Sequence, residues 1–496
     1  MFLTEFPSRD AFASIGERAD VIPLCREILA DMETPVSLLT RFYTPDTPLF
    51  LLESVEGGER WGRFSFLGVS ARMEVRIFEA HVEIKIGESI TETVHHGDPL
   101  SVLRQLMAGY KAAELPELPR FQGGLTGFMT YEMVSFFEKI PHDHPKGKPL
   151  AHFVLADEMI LFDNIRNTMV AVVLCFKEDH ADMNTLYDAG KKRLDALMAK
   201  VEHGNGKTPG KKPKAPLVPQ PVIPEEAFRA RVAKTREAIF DGEIIQAVIS
   251  QPFVCEAPPC PVELYRAQRY VNPSPYLYFM NLGGTCLVGS SPEVMVRLER
   301  GVATVRPIAG TRPRGMTQQE DRKLADELLK DEKERAEHLM LVDLGRNDLG
   351  RVADTGTVQV TDLMVVERYS HVMHLVSNIC CDLKKKLDAF DLVKATFPAG
   401  TLSGAPKVRA MEIISELEES PRGPYGGAVG YFSFSGNMDL AITIRTAVIE
   451  EGTLTVRAGA GIVADSDPET ERQETINKAK AIEKALFLAT STRMNP

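Results

Sequence analysis

Two pairs of glutamates stand three residues apart, Glu334 with Glu337 and Glu471 with Glu474, and Lys478 follows four residues after Glu474. On an α-helix, Glu471, Glu474 and Lys478 fall at i, i+3 and i+7 and project from one face. Two such pairs on two helices suit one Mg²⁺, which prefers one or two protein carboxylates, waters and the oxygens of an anionic substrate. The same spacing describes an ordinary solvated Glu/Lys face, and spacing alone favours that plainer reading. The second pair follows RAGAGIVADSDPE, which opens at Arg457 with small residues that let a ligand lie against bare backbone. Ser466, Asp467 and Pro468 then predict a helix start, an acidic cap followed by Pro at the first helical position. Glu334, Glu337 and His338 are predicted on a helix running into a strand-like apolar segment, HLMLVDL.

Other residues have the chemistry of anion recognition. PAGTLSGAPK, residues 398–407, puts glycines and hydroxyls such as Thr401 before a helix start, where backbone N–H groups suit a carboxylate or phosphate. It is not a phosphate-cradling GxxxxGK[ST] loop, and GAGAGI is not a dinucleotide GxGxxG, so nucleotide binding is a poor reading. Arg445 is read inside a strand, TIRTAV, and Tyr425 in a Gly-rich turn. An arginine among apolar neighbours pairs with something, either an anionic ligand or an internal acid. His374 alternates with Met and Leu on a predicted strand, the pattern of a hydrogen-bonded core histidine, and Gln246 by itself says little.

The elements that must position these groups divide at residues 203–224, HGNGKTPGKKPKAPLVPQPVIP, whose Pro, Gly and Lys content cannot build a core. The expected organisation is therefore 1–202, a linker at 203–224, and 225–496. Before the linker, PVSLLTRF, TPLFLLES, GRFSFLG, MEVRIF and HVEIKI are predicted strands, with EGG closing a hairpin. PLSVLRQLMAGYKA and ADMNTLYDAGKKRLDALMAKVE are predicted helices. After it come a helix at PEEAFRARVAKTREAIF, two helical stretches before a Gly-Asn-Asp turn at LGRND, and strands alternating with helices to the end. Long antiparallel hairpins with helices between them imply an α+β fold rather than a doubly wound parallel sheet. A length of 496 residues is too long for one ordinary core. The net charge of −11 argues against nucleic-acid binding, and no apolar run reaches membrane-spanning length. Seven scattered cysteines without a CxxC suit reduced thiols in a cytoplasmic protein and make a zinc site improbable.

Several long motifs in order then give a resemblance. GEIIQAVISQ, GSSPE, RPIAGTRPRG, AEHLMLVDLGRND, PAGTLSGAPK and AGAGIVADSDPETE resemble the chorismate-utilising enzymes over about 225–490. LLES at 51–54 and GRFSFLG at 62–68 are similar to the large-subunit family of anthranilate synthases. The resemblance implies large antiparallel sheets packed as a sandwich with helices outside, and the first committed step of L-tryptophan biosynthesis, in which chorismate and ammonia give anthranilate and pyruvate with Mg²⁺. It implies Glu337 and Glu474 as metal ligands, with Glu334 and Glu471 reaching the metal's waters. His374, Gln246, Lys478 and Thr311 would take part in catalysis. Gly310, Thr401, Tyr425, Arg445, Gly459, Ala460 and Gly461 would contact the substrate, Tyr425 and Arg445 gripping the enolpyruvyl carboxylate. Gln246 stands where water-using relatives have a lysine base, and a neutral amide cannot deprotonate water, which fits ammonia as the nucleophile. Ala309 stands where aminodeoxychorismate synthases carry a lysine. The family alternatives are an aminodeoxyisochorismate or aminodeoxychorismate synthase, or a non-catalytic tryptophan-binding subunit. No cysteine lies in Gly-x-Cys-x-Gly, so a separate glutamine amidotransferase subunit is the implied source of ammonia, in a heterotetramer of two large and two small subunits. Inhibition by L-tryptophan is implied at Leu52, Glu53, Ser54, Asn272, Pro273, Ser274, Tyr276 and Met280.

Overall fold

The computed structural model of the chain describes residues 2–54, 62–141, 144–180, 182–203, 217–369 and 372–490. Two large sheets dominate it, one of 13 strands and one of 12 among the described residues. Paired strands within both sheets run antiparallel, which is the expected α+β sandwich. Between the sheets lies one apolar layer, built from Val172, Tyr278 and Leu287 of the first sheet and Phe153, Val429 and Leu440 of the second. The outer face of the first sheet is covered by the helices Met183–His203, Pro261–Val271 and Pro468–Thr490. The helices Glu225–Phe240 and Lys407–Leu417 seal the end that holds the strands Gln246–Glu256 and Thr453–Ile462.

The stretches before and after residues 203–224 share both sheets. Leu49–Glu53 pairs with Tyr276–Asn281, with Leu277 opposite Glu53 and Met280 opposite Phe50. Gly124–Met129 pairs with Ala428–Ser433 in the other sheet. The composition break at 203–224 is therefore not a break between two cores. Of that stretch, Gln220–Pro221 forms a short strand against Phe253 and Val254, while 204–216 lie outside the described residues. The EGG hairpin also lies outside them.

Two expected strands are helices. PVSLLTRF forms the helix Pro35–Phe42. Thr34 and Ser37 make a reciprocal capping box, Pro35 takes the first position, and Pro35, Leu38 and Leu39 bury at i, i+3 and i+4. HLMLVDL and the expected LGRND turn both belong to one helix, Glu332–Gly350. Asp331 caps it by accepting the Glu334 N–H, and His338, Leu341, Val342 and Leu349 are buried along it with helical spacing. Among the described residues no helix is long and apolar enough to cross a membrane. All seven cysteines are free thiols.

A buried ion cluster locks the two stretches together. The Glu418 carboxylate accepts from Arg422 Nη2 at 2.7 Å, Arg457 Nη2 at 3.1 Å and the Ser250 N–H at 2.7 Å. Glu132, from the other stretch, accepts the Arg422 backbone N–H at 2.6 Å. Burial works against the Glu418 charge, yet Arg422 and Arg457 hold its carboxyl below the ordinary carboxylate range. Its contribution to stability is thus present above the ordinary carboxylate pKa and is lost as pH falls through the lowered folded value. Replacing Glu418 by Ala strands two buried guanidinium groups and should cost about 3–5 kcal/mol in a urea titration at pH 7. A loss below about 1 kcal/mol contradicts this role.

Candidate active site

Strand ends and two helix starts enclose a cavity of about 440 Å³. The helices Glu332–Gly350 and Pro468–Thr490 bring Glu334, Glu337, Glu471, Glu474 and Lys478 to it, where spacing alone had favoured a solvated face. The second helix starts at Pro468 as expected, with Asp467 accepting the Thr470 N–H at 2.9 Å. Burial, then the neighbouring Glu334, and more weakly Glu474, push the Glu337 carboxyl above its usual range. Glu471 is pushed the same way by burial and by Glu474, against a hydrogen bond with Ser466. Lys478 Nζ lies 2.7 Å from Glu474 and donates to the Gly459 carbonyl at 2.9 Å. Arg312 Nη1 lies 3.4 Å from Glu334.

Beside the helix Pro468–Thr490, the strand Thr453–Ile462 lays Gly459 and Gly461 along the cavity wall. A Cβ on Gly459 would stand 2.7 Å from the Tyr425 hydroxyl, and one on Gly461 would stand 2.6 Å from the Gln246 amide. Bare backbone is thus what admits both side chains. Strand alternation sends the intervening Ala460 to the other face, into the apolar cluster with Ile249 and Ala410, so it does not line the cavity.

His374, on the strand Val372–Asp382, and Thr311 face the same space. His374 Nδ1 lies 2.9 Å from the Gly310 carbonyl and 3.1 Å from the Thr311 hydroxyl. A carbonyl only accepts, so in the neutral ring Nδ1 holds the proton and Nε2 the lone pair. Gly310 therefore orients His374 and is not itself part of the lining. Thr401 and Ala309 line the cavity as expected.

Arg445 is not inside a strand. It occupies a bend between Met438–Ile442 and Thr446–Glu450, with φ at +50°, a left-handed conformation unusual for a side-chain-bearing residue. The bend turns its guanidinium inward, where it makes one marginal contact of 3.5 Å with Asn272. Burial works against its charge and Glu293 favours it. Burial also pushes the Tyr425 phenol up to about 12, which keeps it a hydrogen-bond donor.

Glu293 is the residue that sequence reasoning missed. It lines the cavity fully buried, and burial pushes its carboxyl up to about 8 against the Thr401 hydroxyl, Arg445 and Lys478. The signal was present, an acid between Pro292 and the apolar run VMV. Lys333 and Arg457 also line the cavity without having been singled out.

The residues expected to bind tryptophan divide. Leu52, Glu53, Ser54 and Tyr276 border a second, small cavity of about 50 Å³ between the sheets. Asn272 and Ser274 instead hydrogen-bond to Ser290, at 3.1 and 2.9 Å, with Pro273 between them half-buried. Met280 is fully buried in the core opposite Phe50. The Glu53 carboxylate is taken by Tyr265 and Arg269.

The carboxylates suit a hard divalent ion, with substrate and water completing its shell. Among the described residues, the one set of three ligand atoms within 4.8 Å of each other is His81, Glu83 and Glu92, on a hairpin outside this cavity. The cavity glutamates do not form such a set of three.

Residues 55–484 match the family described as chorismate binding enzyme. Anthranilate synthase component 1 of Pseudomonas putida is 47% identical over 480 residues, covering 95% of this chain and 96% of that protein. That of Acetivibrio thermocellus is 43% identical, covering 97% and 98%. The crystal structure of anthranilate synthase component I from Streptococcus pneumoniae TIGR4 superposes with a TM-score of 0.75 at 37% identity, covering 92% and 99%. The menaquinone-specific isochorismate synthase of Escherichia coli shares the fold at 20% identity, with a TM-score of 0.69 over 96% and 98%. The chain belongs to the anthranilate synthase component 1 branch of the chorismate-binding enzymes.

A methyl group at Gly459 tests the wall directly. Gly459→Ala displaces the Tyr425 hydroxyl, so the KM for chorismate should rise about tenfold or more while the melting temperature stays within a few degrees. An unchanged KM removes Tyr425 and Gly459 from the substrate contact.

Proposed function

We propose that this chain converts chorismate and ammonia into anthranilate, pyruvate and water. The observation that carries the reading is the meeting of two glutamate pairs with Tyr425 and Arg445 around one cavity. Tyr425 and Arg445 bind the enolpyruvyl carboxylate through a phenol donor and a charge-assisted hydrogen bond. Glu337 and Glu474 hold Mg²⁺, with Glu334 and Glu471 ordering its waters. The ion, when bound, supplies Lewis acidity towards the ring carboxylate. Four carboxylates on two helices lining one cavity support that assignment.

Ammonia attacks the ring carbon beside the one that bears the carboxylate, and the ring hydroxyl leaves. Glu293, protonated near neutral pH, gives that hydroxyl its proton so that it departs as water. Loss of the enolpyruvyl group, which ends as pyruvate, and of the proton on the newly aminated carbon then makes the ring aromatic. His374, with its proton on Nδ1, offers Nε2 as the base. Gln246 supports ammonia as the nucleophile because its amide cannot activate water. Ala309 supports attack next to the ring carboxylate because it offers no amine to the ring. Lys478 holds Glu474 and the Gly459 carbonyl in place.

Ammonia comes from a glutamine amidotransferase partner, in a two-plus-two heterotetramer in the cytoplasm. The isolated chain should therefore use ammonium salts and not glutamine. L-Tryptophan inhibits by binding beside Leu52–Ser54 and Tyr276, where the two stretches of chain share a sheet.

Glu337→Gln and Glu474→Gln should each abolish Mg²⁺-dependent formation of fluorescent anthranilate from chorismate and ammonium; unaltered rates refute the metal assignment. Glu293 loses its proton as pH rises, so kcat should fall through about pH 8. Glu293→Gln should lower kcat by roughly 10²-fold and remove that limb. A pH profile with the same alkaline limb in the variant excludes Glu293 as the acid. Tryptophan titrated into the ammonia-dependent assay should inhibit, and no effect at millimolar concentration sinks that proposal.

A further inference from the structure

We propose that His338 and Ser377 form a register pin between the glutamate-bearing helix and the strand that carries His374. Both act as positioning residues for the metal-holding glutamates, and the inference rests on the metal reading above.

His338 follows Glu337 directly in the chain and is fully buried. Its Nε2 lies 2.6 Å from the hydroxyl of Ser377, which is also fully buried and stands three residues beyond His374 on the same strand. The same hydroxyl accepts the Met364 N–H at 2.9 Å. Met364 sits at φ +52° in a stretch where the strand Gln359–Arg368 slips register between Asp362 and Val365. One hydroxyl therefore ties together the helix, the strand with the catalytic histidine and an irregular outer strand.

The pin supplies what the apolar contacts around it cannot. Leu341 and Val342 bury the next turn of the helix, and apolar contact tolerates sliding and rotation. A shift of one turn moves a helix by about 5.4 Å. Such a shift would carry Glu337 away from Glu474 and leave His338 and Ser377 buried without each other. Together with Arg312, which pairs with Asp331 and Glu334 at the helix start, this buried directional bond selects the register that holds both glutamate pairs at one cavity. His338 does not line the cavity, so its influence runs through Glu334 and Glu337.

Mn²⁺ binding to the purified full-length chain, followed by electron paramagnetic resonance, reads the site without turnover. Ser377→Ala and His338→Leu should each weaken Mn²⁺ binding about tenfold, the size seen when partners of metal ligands are removed. The Mg²⁺ half-saturation in the ammonia assay should rise in parallel. The double variant should bind no worse than the weaker single variant, because both break the same bond. His338→Gln, whose amide extends to a similar distance as Nε2, should recover most of the affinity and controls for misfolding of the leucine variant. Wild-type affinity in both single variants, or effects that add in the double variant, overturns the pin. A wild-type chain that binds no Mn²⁺ overturns the metal reading and the pin with it.

Discussion

Four carboxylates brought to one cavity are the constraint around which the rest of the structure is arranged. Glu337 and Glu471 lose hydration beside like charges and are displaced towards their protonated forms, while the more exposed Glu474 pairs with Lys478. Such an arrangement survives only when rigid elements hold it, and under the proposed function a divalent cation would relieve its repulsion. The helices Glu332–Gly350 and Pro468–Thr490 supply two acids each. The far wall carries the complementary charge, with Arg445 buried beside Glu293. Under the proposed function, an anion with carboxylates at both ends would bridge these poles.

Rigidity comes from the sandwich. Neither stretch flanking 203–224 closes a sheet alone, because Leu49–Glu53 and Gly124–Met129 complete the sheets of the later strands. Glu418 joins Arg422 and Arg457 behind the cavity, and Arg457 also lines it. Stability of the fold and placement of the substrate wall therefore share one buried ion cluster.

Much of this was legible in the residues. Alternating runs such as HVEIKI are strands, the glutamate spacing placed both pairs on helix faces, and Pro468 marked its helix start. Short apolar runs were not decidable, since PVSLLTRF and HLMLVDL lack the length at which periods of 2 and 3.6 separate. Their capping residues, Thr34 and Asp331, carried the better signal. The sequence could not show that Arg445 takes a left-handed bend, nor that Ala460 faces away while its two glycine neighbours face in, because both depend on tertiary register. Glu293 was hidden differently, since its chemistry arises from burial and not from residue type.

The central claim is that one cavity both aminates chorismate and expels its side chain. The most direct test is to incubate the purified chain with chorismate, Mg²⁺ and ¹⁵N-ammonium and to quantify products by mass spectrometry. The account predicts ¹⁵N-labelled anthranilate and pyruvate in equal amounts. An aminated product that retains the enolpyruvyl group, or chorismate returned unchanged, would contradict it.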